Sequence, residues 1–571
     1  MDAGCEPSLL AALPQDDPEA CLDVLRRDVI GADACVEGPF GPRRIAYADH
    51  IASGRSLASV EDAIRRVVLP TYANTHTEDS ATGARTTALA RWAAAYIKRC
   101  LGADDRYAVS FPGTGATGTV KRLQEILGVA VPSTLRDRVL EVLPPEERWV
   151  VFVGPYEHHS NEVSWRESLA EVVTVPMNAS GVLDVHALEE RVSDPRYEGR
   201  PKLGSFSAAS NVTGLRTDVR AVARILRRHG ARVAFDFAAS GPYLDIDMRP
   251  GRADAIDAVM LSPHKFLGGP GSPGLLAFHR DLYRLAAPTT AGGGTVSYVN
   301  DREHAFVDDV EAREDAGTPG IVQRIRAALA FGVKERVGTA TIHAREVDFA
   351  ARALARLGAH PRIELLGNVG APRLAVASFL VRSGPPAPDG RPAPYLHPRF
   401  VIRLLSDLFG IQGRAGCSCA GPYGHTLLSI DASRSAAYRA AVDAGYEGIK
   451  PGWSRVSFHW LLDEGAFAYL LEALDFVGDH GARFLPLYAF DWKGGAWRYR
   501  GGPGMPAPTA DDGHDAWAEP RRSSRPVADD RRRYLQEAHA LAARLDPPSS
   551  GSSGRGDVPA GVDPALVTFA H

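Results

Sequence analysis

The sequence predicts an α/β protein: a large domain with a mainly parallel sheet sandwiched by helices, followed by a smaller α+β C-terminal domain. Two patterns carry that expectation. In the first, short apolar runs (RWVVFVGP, EVVTVPM, ARVAFDF, DAVMLSP and GLLAFHR) alternate with helical stretches such as DVRAVARILRRHG. Such runs, bounded by Gly, Pro and Asn, read as strands buried on both faces, as in a parallel sheet. In the second, further along, longer helices (TIHAREVDFAARALARLG, GAFAYLLEALDFVGDHGARF) are separated by a few strands (RLAVASFLV, SRVSFHWL).

These patterns divide the chain into four stretches. Residues 1–70 are an N-terminal segment expected to pack on the small domain, 71–335 the large domain, and 336–495 the small domain. Residues 496–571 form a tail rich in Pro, Gly, Ser, Asp and Arg. Such sequence buries too little apolar surface to offset its ordering entropy, so the tail is expected to be mostly disordered, with one helix near RRRYLQEAHALAARL.

Composition narrows the function. With 571 residues, 45% of them hydrophobic, the chain can bury a large core. A net charge of −4 provides no basic stripe for nucleic acid or an anionic membrane. The first residues, MDAGCEPSLLAALPQDDPEA, lack a basic region ahead of a long apolar run, and no stretch reaches the roughly 18 apolar residues of a membrane span. Cys5, Cys21, Cys35, Cys100, Cys417 and Cys419 are too scattered for a secreted disulfide framework. A cytoplasmic protein is expected.

In parallel sheets, ligands bind at the carboxyl ends of the strands. Polar residues just after each apolar run are therefore the candidates. In DAVMLSPHKFLGGPG, Ser262, His264 and Lys265 follow one strand. A strand-end lysine suits an imine with an aldehyde cofactor, though on SPHK alone a surface loop is an equal reading. In ARVAFDFAAS, Asp236 ends another strand. A carboxylate there suits the nitrogen of a pyridine ring, and it also suits the cap of a following helix. In FPGTGATGTVKRLQEIL, Thr114 and Gly115 sit in a glycine-rich turn that opens a helix, a cradle for phosphate. No Gly-Lys-Ser/Thr follows, so it is not a nucleotide P-loop. In VVFVGPYEHHSNEVSW, His158 and His159 face opposite ways, and one ring is free to stack on a cofactor. A metal site needs more ligands at recognisable spacing, and none is expected.

Taken in order, GTGAT, EHHSNEVSW, SAASNVTG, DFAAS, SPHK, GGGT, EDAGTPG, RAGCSCAGP and SRVSF resemble the class V aminotransferase family of fold type I pyridoxal-phosphate enzymes. The chain most resembles cysteine desulfurases and selenocysteine lyases with a short cysteine loop. The resemblance implies pyridoxal 5′-phosphate held as a Schiff base on Lys265, His158 stacked on its ring, and Asp236 on the ring nitrogen. It implies Asn211 at the ring hydroxyl and Thr114, Gly115, Ser262 and His264 around the phosphate. Thr295 would reach the phosphate of a second subunit, implying a homodimer with shared active sites. Ala239 departs from the pattern, because desulfurases usually carry glutamine there, bonded to the ring hydroxyl.

For the substrate, the resemblance implies that Arg455 pairs with an amino-acid carboxylate, which suits a guanidinium's two parallel donors, with Arg414 assisting. Cys419 falls at the nucleophile position. Cys-x-Cys also reads as a redox pair, a metal site or a tight turn. The leading expectation is a desulfurase-like carbon–sulfur lyase that releases alanine, leaves a persulfide on Cys419 and passes sulfur to an acceptor protein. An aminotransferase, racemase or epimerase, or β-eliminating lyase is the alternative with the same cofactor. A catalytically silent scaffold is the alternative outside enzymes.

Overall fold

The computed structural model describes residues 13–14, 16–75, 77–386, 390, 392–502, 519–546 and 558–571. The chain forms two compact units. Unit 1 comprises Met1–Ile30, Ile51–Asn211 and Leu215–Ala344; unit 2 comprises Gly31–His50, Val212–Gly214 and Arg345–His571.

Unit 1 is built on a seven-stranded sheet. Its strands in chain order are β1 (Tyr107–Ser110), β2 (Val150–Val153), β3 (Glu171–Thr174), β4 (Lys202–Ser207), β5 (Arg232–Asp236), β6 (Ala258–Leu261) and β7 (Leu275–His279). The spatial order is β1-β7-β6-β5-β4-β2-β3. β7 alone runs opposite to the other six strands. The expected α/β fold is present, for the physical reason the apolar runs suggested. Every residue of β1, β2 and β6 is buried, which is how a strand covered on both faces must look.

Helices supply the cover. Helix α1 (Ala81–Cys100) starts where Ser80 accepts from the Gly83 N–H. Helix α2 (Gly115–Ile126) turns Ala116, Val120, Leu123 and Ile126 inward. Helix α3 (Val219–Arg228) is capped by Asp218 and buries Val222, Ala223, Ile225 and Leu226 along one stripe. Helix α4 (Ile321–Val337) packs against α1. Among the described residues, no helix is long and apolar enough to cross a membrane.

Unit 2 has an antiparallel sheet of β8 (Ile363–Leu365), β9 (Val376–Val381), β10 (Arg414–Gly416) and β11 (Trp453–Ser457), in the order β8-β9-β11-β10. Its core adds α5 (Pro398–Phe409), α6 (Glu464–His480) and α7 (Val527–Ala542). Ala46–Tyr47 pairs in parallel with Ile411–Gln412.

Two segment boundaries differ from the sequence reading. Within residues 1–70, Gly31–His50 belongs to unit 2 and Ile51 onward to unit 1. The described part of the 496–571 tail is folded into unit 2. Tyr534 and Ala538 of α7 are buried in its core, the Arg44 N–H donates to Tyr534 Oη at 3.0 Å, and Arg44 pairs with buried Asp530. At the chain end, Phe569–Ala570 lies parallel to Tyr395–Leu396. Composition averaged over the tail hides these few apolar anchors; residues 503–518 and 547–557 lie outside the described residues.

Tyr534→Ala therefore removes a core side chain together with the partner of the Arg44 N–H. It is expected to cost about 3–5 kcal/mol in urea unfolding, whereas a merely appended tail would leave the midpoint unchanged.

Candidate active site

The residues that carry the motifs stand at the carboxyl ends of β2, β4, β5 and β6 and in the turn before α2. Chain order spreads them over some 150 positions, and the parallel sheet brings their ends to one edge. A cavity of about 170 Å³ lies there. Thr114, Gly115, Ser262 and His264 border it, as do His158, Asn211, Asp236 and Lys265.

The turn before α2 explains its glycine. Gly115 has φ of +55°, and a Cβ on it would lie 2.8 Å from His264 Cε1 and 2.9 Å from Ser262 Oγ. Ser262 Oγ in turn accepts from the Ala116 N–H at 2.8 Å. One unpaired donor of the helix start is thus met by the strand end that carries Lys265. The positive end of α2 faces this cavity wall, as an anion such as a phosphate requires.

Lys265 closes a short 3-10 turn, Pro263–Lys265, just past β6. Asp236 ends the adjacent β5 and is 5% exposed. Burial raises its pKa, opposed by the Ala238 N–H on Oδ1 at 2.8 Å and by the charge of Lys265. That N–H is the one hydrogen bond of its carboxylate among the described residues. The other carboxylate oxygen leaves an acceptor at the cavity, and the N–H of a pyridinium matches it. Next to Lys265, burial and then the lysine charge push His264 down to about 4, so the ring is neutral at pH 7.

His158 is held by the turn it starts. The Ser160 N–H donates to Nδ1 at 3.1 Å, which places the ring proton on Nε2. The Ser160 and Thr117 hydroxyls lie 2.6 Å apart, tying this turn to α2.

Glu157, which the motif reading passed over, anchors the turn from below. Its buried carboxylate receives the Gly154 N–H at 3.1 Å, the Ser207 N–H at 2.9 Å, the Ser207 hydroxyl at 2.6 Å and Asn161 Nδ2 at 2.8 Å. Asn161 Oδ1 accepts from Trp165 Nε1 and from the Ser205 hydroxyl. Burial lifts the Glu157 pKa to about 7 against those bonds, with nearby Asp236 adding to the rise. The motif EHHSN contains these residues, yet nothing in a sequence distinguishes a buried glutamate from an exposed one.

Thr295 is expected at the phosphate of a second subunit rather than at that of its own chain. It does not border the cavity; its hydroxyl donates to the Gly292 carbonyl at 2.7 Å. Ala239 does border it and offers only a methyl group. Neighbouring Ser240 is buried with no hydrogen-bond partner for its hydroxyl among the described residues.

In unit 2, Arg414 and Arg455 face each other across β10 and β11. Asp49, also missed in the sequence, bridges them at 2.9 Å and 2.7 Å. Cys417 and Cys419 are exposed free thiols. They sit in a turn closed by the Ala420 N–H on the Cys417 carbonyl, with Ser418 and Cys419 at φ of +51° and +56°.

The model for the family described as aminotransferase class-V matches residues 46–442. Curated relatives described as probable cysteine desulfurases include one from Staphylococcus aureus, 28% identical over 297 residues, covering 51% of this chain and 66% of the relative. Another, from Staphylococcus epidermidis, is 27% identical over 292 residues, covering 50% of this chain and 65% of the relative. These matches span just under two thirds of the relatives' length. Among solved structures, the apo cysteine desulfurase of Thermococcus onnurineus NA1 superposes with a TM-score of 0.61 at 19% identity, over 80% of this chain and 98% of that one. The cysteine desulfurase CsdA of Escherichia coli gives 0.58 at 21% identity, over 80% and 97%. The fold of unit 1 and unit 2 is thus one these proteins share.

The buried Glu157 makes stability depend on pH. Between about pH 4.5 and 7 the folded chain keeps a proton that the unfolded chain has released, so stability falls as pH rises through that window, by up to about 3 kcal/mol. Glu157→Gln, whose amide does not titrate, is expected to flatten the slope. Urea midpoints at pH 5 and 8 test this; equal slopes in both proteins would refute it.

Proposed function

Because the chain belongs to the class-V aminotransferase family, we propose that it holds pyridoxal 5′-phosphate on Lys265 and acts as a cysteine desulfurase-like carbon–sulfur lyase. One observation carries the reading. A primary amine and a buried carboxylate stand at the ends of adjacent strands β6 and β5, on a cavity that also borders the start of a helix. The amine suits an aldehyde, the carboxylate a ring nitrogen, and the helix start a phosphate.

When bound, the cofactor supplies a sink for the electron pair left on Cα as its proton departs. The chain's own groups supply the rest. Asp236 keeps a proton on the ring nitrogen, and its desolvation strengthens that attraction. His158, its ring fixed by Ser160, would cover a face of the ring. The Lys265 amine would act as the base that takes the α-proton and returns one later. Asn211 serves the ring hydroxyl, while Thr114, Gly115, Ser262 and His264 serve the phosphate, with Thr295 of a second copy completing it in a homodimer.

Arg455, assisted by Arg414, takes the substrate carboxylate. The Cys419 thiolate attacks the substrate sulfur: the Sγ–S bond forms, the Cβ–S bond breaks, its electron pair stays on carbon, and a proton completes alanine. The persulfide on Cys419 then passes sulfur to an acceptor protein. Cys417 and Cys419 are free thiols, which suits a reducing, cytoplasmic setting.

Ala239 supports a second reading, an aminotransferase, racemase or β-eliminating lyase. A methyl group gives the ring hydroxyl no hydrogen bond, and that bond shifts the proton affinity on which the reaction course depends.

The holoprotein is expected to show a visible absorbance band that Lys265→Ala abolishes. With cysteine as substrate, Cys419→Ala should keep the band and lose alanine production by roughly 100-fold or more. Mass spectrometry of the products decides: undiminished alanine from Cys419→Ala removes the persulfide route, and a wild type that leaves cysteine intact removes the desulfurase reading.

A further inference from the structure

Among the described cysteines, Cys417 and Cys419 alone are exposed; Cys21 is buried, and Cys35 and Cys100 are partly covered. Burial raises the thiol pKa of those three, that of Cys100 to about 12, which keeps them protonated and unreactive. The proposed function uses one exposed thiol and leaves its neighbour without a task.

The backbone sets the two together. Cys417–Ala420 is a tight turn, closed by the Ala420 N–H on the Cys417 carbonyl at 3.1 Å, with φ of +51° at Ser418 and +56° at Cys419. Positive φ at both central residues marks the mirror-image kind of turn that glycine and asparagine usually fill. An extended chain puts alternate Cα atoms about 6.6 Å apart, near the far limit of what a disulfide spans. Folding back shortens that distance, so a bond between the two sulfurs is within reach.

A persulfide on Cys419 therefore has a second thiol one residue away, and two sulfurs at which that thiol can strike. Attack at the inner sulfur, Cys419 Sγ, releases hydrosulfide, whereas attack at the outer one releases the Cys419 thiolate, a more basic and slower leaving group. The inner attack also closes the smaller ring.

We propose that Cys417 is the resolving thiol of the Cys419 persulfide when no acceptor takes its sulfur, discharging that sulfur as hydrosulfide. The Cys417 Sγ–Cys419 Sγ bond forms, the bond from Cys419 Sγ to the outer sulfur breaks, and its electron pair leaves on the outer sulfur, while the Cys417 proton goes to water. The Cys417 sulfur is oxidised and the outer sulfur reduced, so no outside oxidant enters. A strained, exposed disulfide is readily reduced, and an external dithiol restores both thiols for the next cycle. The inference rests on the reading that Cys419 carries the persulfide, and it adds a second exit for the sulfur.

The test gives anaerobic holoprotein, reduced and then freed of reductant, a single equivalent of L-cysteine. After an acid quench and alkylation, mass spectrometry reads the peptide that carries Cys417 and Cys419, with alanine and sulfide measured alongside. Wild type is expected to yield equal alanine and sulfide, and a peptide that has lost two hydrogens and gained no sulfur; dithiothreitol should return it to the reduced mass. Cys417→Ser should keep one added sulfur atom on Cys419 and release at least about tenfold less sulfide. An added sulfur that stays on Cys419 of the wild type, or moves to Cys417, overturns the proposal, as does equal sulfide release from Cys417→Ser or a disulfide that forms without cysteine. If neither protein makes alanine, the proposed function itself fails; alanine with a lasting persulfide in the wild type sinks the role of Cys417 alone.

Discussion

Four donors converge on the buried carboxylate of Glu157, and the turn after β2 has its shape because of them. Two come from Ser207, one from Gly154 and one from Asn161. Ser207 ends β4 and stands in register with Asp236 on β5, so the same carboxylate joins the histidine-bearing turn to the strand beside the second acid. A Cβ on Gly154 would approach Glu157 Oε1 to 2.4 Å. The glycine is therefore a condition of the anchor, and the anchor a condition of where His158 stands.

The cost of that arrangement is electrostatic. Glu157 and Asp236 are both buried acids, each raised by desolvation, and Asp236 adds to the rise at Glu157. Lys265 pulls the other way on Asp236 and also disfavours a charge on His264. One cation thus does two things across the same wall: it favours an ionised carboxylate on one side and a neutral imidazole on the other. A bound dianionic phosphate near the start of α2 and a protonated ring nitrogen near Asp236 would meet charges of the matching sign. Such a lining would suit the proposed cofactor, which carries both.

The sheet was legible because its strands are buried on both faces and so read as unbroken apolar runs, VVFV and AVML among them. The residues just after those runs were legible for the same reason, since a polar residue that ends such a run has few places to be except the sheet edge. Glu157 and Asp49 were not. Both are acids whose burial depends on donors far along the chain, Ser207 in one case and Arg414 and Arg455 in the other. In the tail, the helix at Val527–Ala542 was legible and its packing was not. The tail's average composition is that of a disordered segment, yet Tyr534, Leu566 and Phe569 are buried in unit 2, and a few anchors at long spacing do not raise an average.

Ala239 and the group of Asp49, Arg414 and Arg455 belong to different units, each set by its own surroundings. A desulfurase must hold the α-carboxylate firmly while leaving the sulfur free for a thiol. Asp49, Arg414 and Arg455 have positions fixed by backbone pairing, as the proposed hold on a carboxylate would need. Cys419 sits three residues past β10, in a turn whose backbone is left-handed at two non-glycine positions. Conformations of that kind persist only where the surroundings impose them. The strand that carries Arg414 therefore leads directly into the strained turn that carries the Cys419 thiol, so the guanidinium and the thiol are set by one continuous piece of backbone.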